Sequence, residues 1–331
     1  MVSVVITTYK ELNTLPKALE AIKKEKVADE ILVVAPDQET EDFIKENYSK
    51  ASEICLPALA SMQQRSLGLA GKSIIGRTKF DNNFGRVREG VEVRFFKNER
   101  IVKPAAINLA FRQAKGEIVV LTDGDVIIKE GSIKLLVRAL EKKENGLACG
   151  RPVSVDPSNN LFGYWSHFLC FAAHQMRSKN KIFPASGNLC ALKKILFSSI
   201  PEETMIDDAL LTQIVLSKGY QVVYLKEAEV FVKYPKNFKD WLKQKIRATG
   251  GYLEKLQITN YKLQMGKMRN FGQEIKEGVK LFFVYPKNLR EFFWTILLYL
   301  ARIYLWFLIF WQIKIKKRGA KDLWQRVEST K

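Results

Sequence analysis

G-E-I-V-V-L-T-D-G-D-V, residues 116 to 126, sets a run of strand-forming residues directly before two carboxylates separated by one glycine. Ile118, Val119, Val120 and Leu121 are apolar with a β-branched bias, the composition of a strand buried on both faces of a parallel sheet. Asp123 and Asp125 then fall at that strand's carboxyl end. Ligands of open α/β sheets bind at this end, and two hard oxygen donors beside a flexible glycine suit a divalent cation that carries a substrate's phosphates. The same tripeptide also reads as a polar turn closing a strand, so its neighbours decide.

Upstream, V-S-V-V-I-T at residues 2–7 forms a first strand, followed by the polar loop T-Y-K-E-L-N, with Asn13 or Thr14 available to cap a helix. Leu15, Leu19 and Ile22 recur at helical spacing to about Lys26, and E-I-L-V-V-A at residues 30–35 forms a second strand closed by Pro36-Asp37. This order predicts a parallel crossover, with the loop after each strand on the sheet edge that holds Asp123. V-E-V-R-F-F at residues 91–96 is a further strand, and K-P-A-A-I-N-L-A-F from Lys103 a helix with proline in its first turn. Residues 58–88 are basic and glycine-rich without periodicity. Gly68 to Ser73 lacks the spacing of a phosphate-binding loop and no G-x-G-x-x-G occurs, so the region reads as a mobile, basic, substrate-covering segment.

The chain has 331 residues and a formal charge of +19, unevenly spread. Residues 233–331 hold 22 Lys and Arg against 7 Asp and Glu, a net +15, which leaves +4 for the rest. Such a tail predicts an anionic surface as partner, either lipid headgroups or nucleic acid. Cys55, Cys149, Cys170 and Cys190 form no C-x-x-C pair, and His167 and His174 lie outside metal-ligand spacing from them; this predicts reduced thiols and no structural zinc. With a strand starting at the N-terminus there is no leader pattern, and the bulk of the chain is expected to face the cytoplasm.

Several segments now fall into a familiar order: T-x-Y-x-E at Thr7, Tyr9 and Glu11, an Asp after the second strand, K-x-x-A-I-N from Lys103 to Asn108, and G-E-I-x-x-L-x-D-x-D. Ser186-Gly187-Asn188-Leu189 with Ala191, Ile206-Asp207-Asp208, and Q-x-x-R at Gln244 and Arg247 continue it. Together, over residues 1–250, they resemble the family 2 glycosyltransferases with the GT-A fold, including cellulose-synthase-like and hyaluronan-synthase-like members. The resemblance implies an α/β, Rossmann-like GT-A domain: a mixed, mainly parallel sheet flanked by helices, with a nucleotide-sugar half at 1–125 and an acceptor half at 126–250. Residues 251–331 are then a basic, membrane-associating region of amphipathic and hydrophobic helices.

The roles follow residue by residue from the resemblance. Thr7, Tyr9 and Glu11 line the nucleoside pocket, with Asp37 near the base, Lys103 beside the nucleotide and Asn108 on the same helix. Asp125 holds Mg²⁺ or Mn²⁺ on the diphosphate, and Asp123 lies near ribose or metal. Gly187 and Asn188 belong to the acceptor-side segment, Asp208, next to Asp207, is the general base, and Gln244 and Arg247 sit by the acceptor and the leaving diphosphate. The chemistry asks for these residue types: inverting transfer needs a carboxylate to deprotonate the attacking hydroxyl, and cations to stabilise the departing nucleoside diphosphate. The implied partners are a UDP- or GDP-sugar donor, a lipid-linked or glycan acceptor, and a membrane surface.

This sequence departs from the family pattern at Ala35-Pro36-Asp37, where V-V-D-D is usual, and at Ala248, where a Trp usually follows Q-x-x-R. Loss of that aromatic platform points to a single transfer rather than processive synthesis. Plainer readings stand beside these roles: Asp207-Asp208 as carboxylates at a helix N-terminus, Lys103 as a surface lysine, Gln244 and Arg247 as a solvated basic face, His167 and His174 as helix-face residues. A basic nucleic-acid-binding protein is the rival class, but no nucleic-acid motif is present. A GT-A-like nucleotidyltransferase would need a Gly-rich, Arg- or Lys-bearing loop after the first strand, and none occurs.

In residues 292–313 only Thr295, Arg302 and Gln312 are neither apolar nor aromatic. At ~1.5 Å per residue such a helix is about 33 Å long, enough for a bilayer core. Lys314, Lys316, Lys317, Arg318 and Lys321 follow it and should stay cytoplasmic, as must a domain that uses cytoplasmic nucleotide sugars. A single span cannot satisfy both. Thr295, Tyr299, Arg302 and Trp306 form a polar-tipped stripe, which predicts an interfacial or re-entrant anchor in preference to a full span.

Overall fold

The computed structural model describes residues 1–48, 91–179, 185–204, 206–250 and 271–312. Its order begins β1 (Val2–Thr7), α1 (Leu15–Lys24), β2 (Glu30–Ala35), α2 (Gln38–Asn47), β3 (Glu92–Lys97), α3 (Lys103–Gln113) and β4 (Ile118–Asp123). There follow β5 (Ile127–Ile128), α4 (Ser132–Ala139), β6 (Asn145–Ser154), α5 (Leu161–Lys179), β7 (Leu189–Lys193), α6 (Asp207–Ser217), β8 (Gln221–Val232) and α7 (Phe238–Gly250). The described C-terminal helices are α8 (Phe271–Val284) and α9 (Leu289–Phe310). Residues 58–88 and the basic run from Lys314 to Lys321 lie outside the described residues.

The strands form one sheet in the order β3-β2-β1-β4-β7-β6-β8-β5. β3, β2, β1 and β4 are parallel, β7 is antiparallel to β4 and β6, and β6 is parallel to β8. The apolar runs of β1, β2 and β4 fill both faces, because Val4, Ile31 and Val120 pack on one side and Val5, Leu32 and Val119 on the other. One end of this half is pinned by a buried charge. Glu30 accepts from Arg94 Nη1 at 2.9 Å, Ser3 Oγ at 2.6 Å and the Lys115 amide at 2.6 Å. Burial opposes ionisation of Glu30, but these donors outweigh it and hold its carboxyl below the usual range. Ser3 Oγ also accepts from the Gly116 amide, so the network ties the starts of β1, β2 and β4 together and leaves the opposite strand ends for function.

The helix after β1 begins at Leu15 as predicted, but neither Asn13 nor Thr14 caps it through its side chain; Thr14 Oγ1 instead donates to the Glu11 carbonyl. β3 runs one residue later than the sequence pattern indicated.

A third core joins α5, α7 and α9 through Tyr164, Trp165, Phe168, Trp241, Leu298 and Ala301. Tyr164 Oη and Thr295 Oγ1 are 2.7 Å apart, and Trp165 Nε1 donates to the Trp294 carbonyl at 2.9 Å. α9 is long and apolar enough to cross a membrane, with a mean hydropathy of 1.8 over its most apolar stretch. Its Thr295, Leu298, Ala301, Leu305 and Ile309 are buried against the protein, whereas Phe293, Leu300, Ile303, Phe307 and Phe310 are exposed. The polar-tipped stripe therefore turns toward α5 and α7, and the outer face is mainly apolar and aromatic, with Tyr304 also exposed on it.

Candidate active site

Parallel pairing in register puts Thr7 beside Asp123 at the ends of β1 and β4. Gly124 follows, and its amide donates to the Thr7 carbonyl at 3.1 Å. Glycine is required here by space rather than flexibility: a Cβ at this position would lie 2.5 Å from Thr8 Oγ1 and 2.9 Å from Glu11 Oε2. The D-G-D turn and the T-x-Y-x-E loop are thus packed against each other, and Thr8 Oγ1 donates to Glu11 Oε2 at 3.0 Å.

Because β7 runs antiparallel to β4, its start meets the end of β4, with Leu189 opposite Thr122. This brings Gly187 and Asn188 to the aspartates. Thr122 Oγ1 donates to the Asn188 carbonyl at 3.0 Å, and Asn188 Nδ2 lies 3.4 Å from Asp123 Oδ2. A Cβ on Gly187 would come within 3.3 Å of Asp208 Cβ, so the absence of a side chain lets the N-terminus of α6 approach the strand ends. Asp207 and Asp208 are the first residues of that helix, so the helix-terminus reading and the site reading are both fulfilled.

Lys103, from the first turn of α3, occupies the space between the carboxylates. Its Nζ is 2.6 Å from Asp123 Oδ1, 3.7 Å from Asp207 Oδ2 and 3.3 Å from the Gly187 carbonyl. Burial disfavours its charge, yet Asp123, Asp207 and Asp208 more than offset that and hold the ammonium above the usual lysine range. It is not a surface lysine. Asp208 is pushed up to about 6, first by desolvation and next by the neighbouring Asp207, against the Ala209 amide, Arg177 and Lys103, which favour its charged form.

These groups line one cavity of about 1250 Å³. It contains Thr7, Tyr9, Glu11, Lys103, Asp123, Asp125, Gly187, Asn188, Asp207, Asp208, Gln244 and Arg247. Gln244 Oε1 is buried with no hydrogen-bond partner among the described residues, an acceptor atom awaiting a donor.

Two sequence-predicted residues take other roles. Asp37 caps α2, accepting from the Thr40 amide at 3.0 Å and Thr40 Oγ1 at 2.7 Å. Its second oxygen accepts from the Lys10 amide at 3.1 Å, holding Lys10 at φ 54 beside Tyr9. Both Asp37 oxygens are committed and Asp37 is absent from the cavity wall, which its neighbours Val34 and Pro36 do line. Asn108 is buried away from the cavity, its amide exchanging two 2.8 Å hydrogen bonds with the backbone of Ile200. It pins the segment before α6 onto α3, a structural part in building the site. His167 and His174 are helix-face residues, bonded to the Asp156 carbonyl at 2.7 Å and Tyr224 Oη at 2.8 Å.

Sequence reasoning missed Arg177 of α5, whose charge acts on Asp208, and it gave no catalytic-domain role to Arg302 and Trp306 of α9, which also line the cavity. Arg177 ends an apolar helix, where a cation normally serves the dipole; only the packing of α5 across the sheet shows its direction.

For a divalent cation the fit is good. Asp125 and Asp123 present hard carboxylate oxygens at the strand end, although Asp123 is already shared with Lys103, Thr7 and Asn188. No group of three His, Cys, Asp or Glu side chains occurs among the described residues. Mg²⁺-type sites commonly use one or two carboxylates and complete their shell with substrate phosphates and water, and this donor set matches that pattern.

A mixed, mainly parallel sheet flanked by helices, with a cavity at the carboxyl ends of β1 and β4, is a GT-A-like fold. The profile of the family described as Glycosyltransferase like family 2 matches residues 83–251, half of the chain, and the chain belongs to that family. It is a glycosyltransferase. Among solved structures, the mannosyltransferase PcManGT from Pyrobaculum calidifontis, in complex with GDP-Man and Mn²⁺, matches with a TM-score of 0.51 at 17% identity. That match covers 89% of this chain and 72% of the other. S. aureus TarS 1-349 matches at 13% identity and TM-score 0.48, covering 88% of this chain and 76% of that one. No curated protein matches the chain.

Proposed function

We propose that this protein is an inverting glycosyltransferase that moves a sugar from a UDP- or GDP-sugar to a membrane-associated, lipid-linked or glycan acceptor. The observation that carries the reading is Asp208, pushed up to about 6, in one cavity with Asp125, Lys103 and Arg247. The PcManGT complex, which holds GDP-Man and Mn²⁺ on the same fold, supports a nucleotide-sugar donor and a divalent cation.

The donor lies along the ends of β1 and β4, its nucleoside against Thr7, Tyr9 and Glu11. Asp125, with Asp123, would hold Mg²⁺ or Mn²⁺, which when bound neutralises charge on the diphosphate. Asp208 takes the proton of the acceptor hydroxyl as that oxygen attacks the anomeric carbon, and its raised pKa makes it a better base than an ordinary aspartate. Gln244 Oε1, lacking a donor, accepts a hydroxyl of a bound sugar and orients it. Lys103 and Arg247 stabilise the charge that grows on the leaving diphosphate without giving up a proton. On this reading the enzyme works at the cytoplasmic face of a membrane, where soluble donor and membrane-borne acceptor meet, and the exposed apolar side chains of α9 support such an attachment.

The test is to incubate the full chain with UDP- and GDP-sugars and a membrane extract, following nucleoside diphosphate release and the anomeric configuration of the product by NMR. One donor should be consumed with inversion. Retention of configuration, or no consumption of any donor, contradicts the reading.

A further inference from the structure

Lys103 stands where helix electrostatics alone would not put it. It is the first residue of α3, and no acidic side chain accompanies it in the first turn. A helix N-terminus carries partial positive charge and disfavours a cation. The oxygens in front of Lys103 explain the placement. Around its ammonium lie Asp123 Oδ1 from the end of β4 at 2.6 Å, the Gly187 carbonyl at 3.3 Å, and Asp207 Oδ2 from the start of α6 at 3.7 Å. The side chain lines the cavity and remains 31% exposed there.

These oxygens make two seats for one ammonium. Asp123 is the nearer, and it is also the carboxylate that stands with Asp125 to receive a divalent cation. Thr7 Oγ1 lies 3.3 Å from its Oδ1 and Asn188 Nδ2 3.4 Å from its Oδ2, so both oxygens of Asp123 are already shared while the ammonium stays. Asp207 is the farther seat, on a different element. Asn108, further along α3, exchanges two 2.8 Å hydrogen bonds with the backbone of Ile200, in the segment that leads into α6, so Lys103 and Asp207 keep their spacing. A lysine ammonium repels a divalent cation brought to the same carboxylate. Its flexible stem lets it move aside.

We infer that Lys103 is the resident cation of the unloaded site: its ammonium occupies Asp123 until a divalent cation arrives with a nucleoside diphosphate, and then shifts to the Asp207 seat. The inference rests on the transferase reading and adds to it a positioning role for Lys103 toward the metal. Its consequence is that a free metal ion binds the empty site poorly, because it must displace the ammonium without the negative charge of a diphosphate to offset the repulsion. Binding of cation and diphosphate thereby becomes mutually dependent.

Mn²⁺ binding to the full chain is titrated through the electron paramagnetic resonance signal of the free ion, first with no nucleotide present. Lys103→Gln and Lys103→Met should each bind Mn²⁺ roughly tenfold tighter than the unaltered chain, and Asp125→Asn added to either should abolish the gain. The direction is diagnostic, since a site damaged by misfolding binds more weakly. Lys103→Gln keeps a hydrogen-bond donor for Asp123 and covers the case in which Lys103→Met does not fold. Asp207→Asn tests the second seat. With UDP or GDP present it should bind Mn²⁺ roughly tenfold more weakly than the unaltered chain, with its affinity for Mn²⁺ alone unchanged. Binding of Mn²⁺ alone that is no tighter in Lys103→Gln than in the unaltered chain overturns the inference. So does an Asp207→Asn variant that matches the unaltered chain in both titrations. The titrations with Mn²⁺ alone contain no donor, so their failure leaves the transferase reading standing. That reading fails separately if no UDP- or GDP-sugar stabilises the unaltered protein.

Discussion

Asp208→Asn is expected to lower turnover by roughly 10²–10⁴-fold, the usual contribution of a positioned general base. The loss should fall on kcat, with donor binding retained, because the proposed nucleoside contacts are Thr7, Tyr9 and Glu11, whereas Asp208 lies next to Gly187. In the unaltered enzyme, kcat/KM should rise about tenfold per pH unit on the acid side and level off above the pKa near 6. Stability should move the opposite way. A carboxyl whose pKa is higher folded than unfolded binds its proton more tightly in the native state, so stability falls as pH rises from the unfolded pKa near 4 to the folded value near 6. That loss is on the order of 2–3 kcal/mol, and it should be absent from Asp208→Asn, whose amide oxygen can still accept from the Ala209 amide. A variant that is inactive but less stable at neutral pH would instead mark Asp208 as a structural residue.

Asp125→Asn is the second large effect, about 10²–10³-fold in turnover, the size seen when a charge-stabilising group is removed from a transfer site. The sign of a metal role is the dependence on Mn²⁺: the variant should need a higher concentration to reach its own, lower, maximum. If rate and Mn²⁺ dependence are both unchanged, Asp125 plays no part in holding the diphosphate. Asp123→Asn is a different experiment, since Asp123 is the nearest counter-charge to Lys103, at 2.6 Å, and its loss frees that lysine toward Asp207.

Much of the strand-end cluster was legible in sequence because it is built from local patterns whose consequences are fixed by topology. Once β1 and β4 are parallel neighbours, Thr7 and Asp123 must share an edge, and the antiparallel return of β7 must bring Asn188 to them. What escaped notice depended on partners distant in the chain. Asp37 has the position expected of a base-binding residue, but the chain after β2 turns directly into α2 and uses the carboxylate as its cap. Asn108 lies in a family-like helix yet faces Ile200, an amide pairing that no periodicity announces. Gly124 invited a reading as a flexible joint, whereas the close approach of Thr8 makes it a spacer.

The C-terminal helix shows the limit most clearly. Its polar-tipped stripe was visible as a pattern, but a pattern does not say which face the protein covers. Packing of Tyr164 against Thr295, and of Trp165 against the backbone at Trp294, turns the stripe inward and gives Arg302 and Trp306 to the cavity. The aromatic platform missing at Ala248 therefore has a candidate replacement in Trp306, contributed by a helix outside the motif-bearing region.

The most direct measurement is the melting temperature of the full chain with a panel of UDP- and GDP-sugars, each with and without Mn²⁺. A ligand that binds only the native state raises stability by about 2.7 kcal/mol at a hundredfold excess over its Kd. The account predicts that donors of one base class raise the melting temperature by several degrees, that the rise needs Mn²⁺, and that it disappears in Asp125→Asn. No stabilisation by any nucleotide sugar, or stabilisation indifferent to both metal and Asp125, would contradict it.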